Sequence, residues 1–500
     1  MPAPVKNTGI FLERVIWKTD CWVDGKHLGS QESLIAPHRF SAGNLEAGRH
    51  VIVLRIDNSK QHEISLKNNV AHAYTDGTQI MWNGVIGRME LTGENDVYIN
   101  SVQLYPEMGN KKLKANLSIQ NSNATAIPIK LKINVWDKTK LVQTKIQDIT
   151  INAGLTDLST ALILKNIIPW DEFNPHLYKV TIALITQGNK TSDKKELQFG
   201  FRQLGNANGL LQINGRRIFL RGTLDCNVYP LEGHPPMTKP GWIKVFNTVK
   251  KYGFNHVRYH TWCPPEAAFA VADSLGVYLQ AELPLWSLKF GQDKSSLPYE
   301  DGEAQQILSN YGNHPSFCFW SMGNEIMGDY NWLDHLVLKL KKQDNNRRLY
   351  TNCSESFRPW PDTVDDYYVT KDTKKGLIRG YGIFDRDKLD FDTAYSKSID
   401  SIPVPLIIHE LGQYSVYPDM SEIKKYTGVL DPLNFKAIRH DLDKKQMLPM
   451  ARSFLMSSGK LSAILYKGEI ERALETPGVS GFQLLDLHDF PDKGPHWLEC

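Results

Sequence analysis

Phe317-Cys-Phe-Trp-Ser-Met-Gly-Asn-Glu325 and Val404-Pro-Leu-Ile-Ile-His-Glu410 each run through a short apolar stretch and stop at a carboxylate. Short apolar runs without alternation suit strands buried on both faces, as in a parallel sheet. A glutamate placed directly after such a strand is costly to bury without a partner or a task. In a closed barrel of parallel strands the C-terminal strand ends carry the chemistry. Two carboxylates facing each other there are the minimum equipment for cleaving a glycosidic bond, one as acid/base and one as nucleophile.

Working outward, the same strand, loop, helix pattern repeats from about residue 204 to the end. Eight candidate strands can be placed at 218–222, 256–259, 277–282, 317–321, 349–352, 366–369, 405–408 and 481–486. Helical stretches fall between many of them, as at 242–252, 265–275 and 332–342. Eight strands with intervening helices predict a (β/α)8 TIM barrel. A doubly wound sheet is disfavoured, because no Gly-rich dinucleotide loop follows any of these strands. Glu325 then ends the fourth strand and Glu410 the seventh, on opposite walls of one pocket.

Before residue 200 the period is different. Ile127, Ile129, Leu131, Ile133 and Val135 alternate with polar residues, and turn signals such as Asp57-Asn58 and Gly93-Glu-Asn-Asp96 punctuate the chain. This predicts β-sandwiches of about 100 residues each. The chain therefore divides into a partial jelly-roll sandwich over 1–98, an immunoglobulin-like sandwich over 99–203 and the barrel over 204–500.

Composition excludes several classes. With 58 basic against 55 acidic side chains there is no charge excess to attract nucleic acid. The runs Lys339-Leu-Lys-Lys-Gln343 and Lys371-Asp-Thr-Lys-Lys375 read as solvated faces. No stretch is long and apolar enough to span a bilayer, and the N-terminus lacks the apolar segment of a signal peptide. The six cysteines have no metal-ligand spacing and read as free, buried thiols.

Other pocket candidates follow from the strand ends. Asp225, Arg258, His260, Glu282, Asn352, Tyr368 and Asp486 lie at or just after them, and Trp286 in a loop beyond. Each has a structural reading beside the functional one. Glu282 either faces substrate or pairs with Arg258 or a backbone amide. His260 and His488 either donate to sugar hydroxyls or are satisfied structural histidines. Trp262, Trp286, Trp360 and Trp497 either pack under loops or offer a ring to the apolar face of a pyranose. Arg258 and Tyr367 or Tyr368 are candidate donors to Glu410.

The order of domains, with Thr78-Gln-Ile-Met-Trp-Asn-Gly-Val-Ile-Gly-Arg88, Trp170-Asp-Glu-Phe-Asn-Pro-His-Leu-Tyr178, Phe199-Gly-Phe-Arg202, Asn214-Gly-Arg-Arg-Ile-Phe-Leu-Arg-Gly222 and Gly323-Asn-Glu325, resembles glycoside hydrolase family 2. That family holds β-galactosidases, β-glucuronidases and β-mannosidases. The resemblance implies retention through a glycosyl-enzyme, with Glu325 as acid/base, Glu410 as nucleophile and Asn324 bound to the sugar 2-hydroxyl. It implies an oligosaccharide or polysaccharide substrate. No cofactor is required by it, and no ligand cluster indicates a metal.

The Asn-x-Lys arrangement associated with the glucuronidase branch is not evident near the last strands, so a neutral β-glycoside, with galactose as the default, is expected. The loops 352–360 and 379–385 are expected to shape specificity. The opening segment, 9–25, resembles the middle of the first sandwich, and Cys500 follows closely on the eighth strand. By resemblance the sequence reads as a piece of a longer protein whose targeting signal is not in view. The alternatives are a sugar-binding relative without turnover, and an inverting or endo-acting glycanase on the same barrel.

Overall fold

The computed structural model describes residues 2–65, 71–75, 81–186, 188, 190–355, 357–358, 360–380 and 394–488. Two antiparallel three-stranded sheets come first. One runs in the order His38–Leu45, Val5–Val15, Val85–Gly93, and the other Lys26–Glu32, Lys18–Val23, Ile52–Asp57. They enclose a small core of Ile10, Leu12, Val15, Cys21, Val23 and Phe40.

A second sandwich follows, with a three-stranded sheet (Gly154–Ile163, Lys112–Asn121, Val97–Glu107) on a four-stranded one (Lys140–Ile151, Ile127–Asp137, Tyr178–Ile185, Thr191–Phe199). The alternation read from the sequence is realised here. Ile129, Leu131, Ile133 and Val135 are buried against Val180, Ile182 and Leu184, while Lys130 faces solvent. A strand period of two thus sends every second side chain into the gap between sheets.

The third unit is an eight-stranded parallel sheet, nearly closed. Its strands are β1 Leu220–Asp225, β2 His256–Tyr259, β3 Tyr278–Glu282, β4 Phe317–Ser321, β5 Leu349–Thr351, β6 Tyr368–Thr370, β7 Leu406–Leu411 and β8 Val479–Leu484. They pair in the order β5-β4-β3-β2-β1-β8-β7-β6. The seam between β5 and β6 is stitched by Asp366 N–H to Tyr350 O (2.8 Å) and Glu355 N–H to Val369 O (3.0 Å). Helices α1 Lys239–Lys251, α2 Glu266–Leu275, α3 Ser296–Tyr311 and α4 Tyr330–Asp344 follow the first four strands. After β6 and β7 come α5 Ser396–Ile399, α6 Leu433–Lys444 and α7 Ala451–Glu475.

Several strand bounds differ from the sequence reading: β7 runs on through Glu410 to Leu411, β8 starts two residues earlier, at Val479, and β1 and β6 each start two residues later. β1 begins at Leu220 instead of 218, because Arg216–Arg217 pairs back on Leu210–Ile213 to form a hairpin. That hairpin places Leu211 and Ile213 in one cluster with Leu220, Tyr278, Phe319 and Ile407. β6 begins at Tyr368, since Asp366 turns its carboxylate onto the Tyr350 amide at 2.9 Å.

Polar side chains form a connected network inside the barrel. Gln483 bridges His256 (3.0 Å) and Gln280 (3.1 Å), Gln280 donates to Ser354 Oγ (2.9 Å), and Ser354 donates to Glu282 (2.6 Å). All five are wholly or almost wholly buried, so this network is stiff rather than hydrated. It carries the residues of the strand ends.

The domains share contacts. Ile16, Trp17, Leu34, Ile35, Ile64 and Trp82 of the first sandwich belong to the same buried cluster as barrel residues such as Trp262, Phe269 and Trp320. Arg202, beyond the second sandwich, donates to the carbonyls of Pro315, Phe317 and Arg347 in the barrel.

Candidate active site

Glycine decides how the fourth strand ends. Gly323 has φ +143°, and a Cβ there would lie 2.3 Å from Leu285 O, so only glycine lets this turn pack against the loop after β3. Asn324 N–H then bonds Leu285 O at 3.0 Å, and Glu325 N–H bonds Ser354 O at 2.9 Å. Glu325 and Glu410 both adopt left-handed backbone, with φ 45° and 47°. Such residues cost about 1 kcal/mol each and persist where surrounding structure over-determines them.

The two carboxylates have contrasting neighbours. Glu410 Oε1 lies 3.3 Å from His260 Nε2, 3.3 Å from His409 Nε2 and 3.6 Å from Arg258 Nη1. Its Oε2 accepts from Gln413 Nε2 at 3.2 Å and lies 3.9 Å from Arg379. Glu325 Oε2 accepts a side-chain bond from Trp286 Nε1 at 3.1 Å. Burial first, then the charge of Glu410, pushes its carboxyl above the usual range.

Between the glutamates, Arg258 is fully buried and donates to Glu282 (2.7 Å) and to Asn324 Oδ1 (2.6 Å). His409 Nε2 approaches that same oxygen at 3.1 Å. With its carbonyl engaged twice, Asn324 has a defined orientation, and its buried Nδ2 has no hydrogen-bond partner among the described residues. Burial, followed by the Arg258 charge, lowers His260 to about 3, so its imidazole is neutral at physiological pH.

The sequence candidates therefore separate. Glu325, Glu410, Asn324, Arg258, His260 and Trp286 come together. Glu282 is fully buried and takes bonds from Arg258, Thr261 N–H (2.8 Å), Ser354 and Gln280, so it holds Arg258 and does not face a ligand. Asp225 is likewise buried, binding Asn227 N–H at 2.7 Å and Tyr229 OH at 2.8 Å, with its own carboxyl raised by burial. Asp486 stands half-buried at the end of β8.

Two placements are corrected. The Asn352 side chain donates to Asp334 (3.2 Å), while its backbone N–H is capped by the Asp365 carboxylate (2.7 Å) where the strand ends. Tyr368 packs with Ile378, Tyr395 and Leu406, and its hydroxyl donates to Arg358 O at 2.9 Å instead of to Glu410. Trp262 is buried in the core, its indole on Asp225 O, so it is a packing residue. His488 lies 3.9 Å from Asp225 and meets the Tyr229 ring at a tilt, with centroids 5.2 Å apart. Trp360 has Lys374 above its ring at 5.8 Å. Trp497, Cys500 and residues 381–385 lie outside the described residues.

Five further groups border the site. His409 should point away from Glu410 by strand alternation, but a register shift between Ile408 and Leu411 turns both toward the interior. Arg379 donates to Glu410 O at 3.2 Å. Glu355, also left-handed at φ 56°, accepts from Lys371 N–H at 2.6 Å and lies 3.7 Å from both Lys371 Nζ and His409 Nδ1. Lys371 is thus not a purely solvated residue as its charge run suggested. The fifth, His72, comes from the first sandwich and meets His260 edge-on at 4.8 Å.

That domain reaches the pocket through the segment on either side of 66–70. Ile64 O accepts from Trp286 N–H (3.0 Å), and Thr261 O accepts from Ala73 N–H (3.3 Å). The indole that touches Glu325 is therefore anchored by the first domain. Among the described residues no cluster of three or more His, Cys, Asp or Glu side chains could hold a metal ion, and no helix is long and apolar enough to cross a membrane.

The class defined by fold and site is a multidomain protein in which two β-sandwiches precede a parallel barrel with paired carboxylates at its strand ends. Residues 97–202 match the profile of Glycosyl hydrolases family 2, and residues 206–430 that of the family's TIM barrel domain. The chain belongs to glycosyl hydrolases family 2. It is similar to a β-galactosidase of Priestia megaterium (21% identity, 66% of this chain, 33% of the relative). It is also similar to a putative β-glucuronidase of Formosa agariphila (26% identity, 56% of this chain, 33% of the relative). The chain thus spans about a third of the length of these relatives. Among solved structures, a β-galacturonidase from Eisenbergiella tayi bound to galacturonate shares the fold, with TM-score 0.70, 16% identity and coverage of 96% and 80% of the two chains.

Proposed function

We propose that this chain carries the catalytic centre of a retaining, exo-acting β-glycosidase. Glu410 attacks the anomeric carbon, the glycosidic C–O bond breaks, and the Glu325 proton passes to the leaving oxygen. Glu325, now ionised, takes a proton from water as that water displaces Glu410 and breaks the glycosyl ester. The same group thereby serves both steps. The observation that carries the reading is the contrast in surroundings. Glu410 faces donors and cations, as a nucleophilic carboxylate needs, whereas Glu325 has its proton held by burial and by Glu410. The Asn324 amide is free to meet a 2-hydroxyl. The first sandwich walls the pocket at Trp286, which suits release of a terminal sugar.

A terminal neutral sugar, galactose foremost, is the substrate we infer from the sequence. A second reading, a uronic acid, is favoured by Arg379 beside Glu410 and Lys371 beside Glu355. Nitrophenyl β-galactoside, β-glucuronide and β-galacturonide, offered in parallel, separate the two. Retention is tested with Glu410→Ala, in which azide should restore turnover and yield an α-glycosyl azide. Turnover of the parent with an inverted first product would overturn the mechanism, and sugar binding without any product would leave a lectin-like role.

A further inference from the structure

The two oxygens of Glu410 stand in unlike places. Oε1 faces nitrogens of three buried residues, His260, His409 and Arg258, at 3.3, 3.3 and 3.6 Å. So enclosed, it leaves no side from which an anomeric carbon can come to the about 3–3.5 Å that attack needs. Oε2 lies on the open side. Its hydrogen bond among the described residues comes from Gln413 Nε2 at 3.2 Å, and Arg379 stands off at 3.9 Å. An ionised carboxylate only accepts, so the Gln413 atom in contact is the amide nitrogen. Gln413 is itself exposed, in the loop just after β7. Glycine fixes the turn that brings it there, because Gly412 has φ +83° and a Cβ on it would lie 2.0 Å from the Tyr466 ring of α7. The donor to Glu410 that the sequence suggested at Tyr368 is thus supplied from this loop.

We propose that Oε2 is the attacking oxygen of Glu410 and that Gln413 is a catalytic residue of the second step, donating to Oε2 as it becomes a carboxylate oxygen again. The inference rests on the glycosidase reading of Glu325 and Glu410. In the first step the bond from the anomeric carbon to Oε2 forms, the bond to the leaving oxygen breaks, and that oxygen takes the Glu325 proton. Oε2 is then an ester oxygen without charge, so the Gln413 bond weakens. In the second step water attacks the anomeric carbon, the ester bond breaks with its electron pair going to Oε2, and Glu325 takes a proton from the water. The Gln413 N–H meets that growing charge and stabilises glutamate as a leaving group. The same bond is strongest in the free enzyme, so it does not speed the first step. Gln413 thus shortens the life of the glycosyl-enzyme without hastening its formation.

Gln413→Ala and Gln413→Met in the full chain provide the test, on the dinitrophenyl β-glycoside of whichever sugar the parent turns over. Methionine fills the space without a donor, which separates the hydrogen bond from bulk, and the exposed position spares the fold. With so good a leaving group the second step limits kcat, while kcat/KM reports the first. Both variants should lose about tenfold in kcat, the lower end for a hydrogen bond to a charged group, and keep kcat/KM within about twofold of the parent or above it. Both should also release a burst of dinitrophenol. Gln413→Met matching the parent, or equal losses in kcat and kcat/KM, would overturn the proposal. A second measurement follows the ester itself. Trapped with the 2-deoxy-2-fluoro analogue and verified by intact mass, it should reactivate in buffer about tenfold more slowly in both variants. Equal reactivation rates in an active enzyme would sink this inference alone. A parent that neither turns over a glycoside nor traps an ester would overturn the glycosidase reading, and the inference with it.

Discussion

At the residue scale the proposed mechanism depends on one carboxyl keeping its proton. Burial and the Glu410 charge raise Glu325, so the acid form is present below its raised pKa and turnover should fall as pH climbs through it. Glu325→Gln should lose about 10²–10⁴-fold in kcat on substrates with poor leaving groups, and much less on dinitrophenyl glycosides. A leaving-group series measures this directly, and an equal loss across the series would remove Glu325 from the acid role. The pair itself was legible in the sequence because a carboxylate within a few residues of the end of a buried apolar run has few reasons to be there. His409 was not, since strand alternation points it outward and only a bulge brings it back. Lys371 was hidden inside a run that reads as solvated, and Asn352 and Tyr368 were misread because strand-end position does not reveal which side of the wall a side chain takes.

The elements behind the site hold charges that stabilise one another. β2 and β3 deliver Arg258 and Glu282 to each other at 2.7 Å with both fully buried. Arg258→Met would leave Glu282 without its cation, and the expected loss is about 3–5 kcal/mol of unfolding free energy in urea titrations. Helix α3 behaves differently with pH. Its Glu303 is buried against Leu34 N–H of the first sandwich, and burial raises it from 4.5 to about 7. The folded state thus binds this proton more tightly than the unfolded state, and stability falls as pH rises from about 4.5 to about 7. The span corresponds to a loss on the order of 3 kcal/mol. Melts of the parent and Glu303→Gln at pH 5 and pH 8 should differ in that slope, with the glutamine variant flatter. The barrel strands were readable as apolar runs. The hairpin over 210–217 was not, because runs this short carry little period of their own and only the barrel end gives Leu211 and Ile213 something to cover.

Over the whole molecule, the sandwiches meet the barrel through a few anchors. Arg202 is half-buried, with its guanidinium on three barrel carbonyls. Arg202→Met should cost about 3 kcal/mol, the value of lost charged hydrogen bonds, and should split a single calorimetric transition into two. A single unshifted transition would show that the anchor is idle. The domain order could be read from the change in hydrophobic period, but the contacts between domains could not, as nothing in residues 64–75 announces a partner 200 positions away. That contact has a consequence for ancestry. Since Trp286 touches Glu325 and its backbone is bonded to Ile64, the front domain and the proposed acid are physically coupled. Recombination that exchanged front domains between related barrels would therefore transmit a change in proton affinity along with the new surface, and lineages that shuffled this domain freely would have had to re-tune the acid each time.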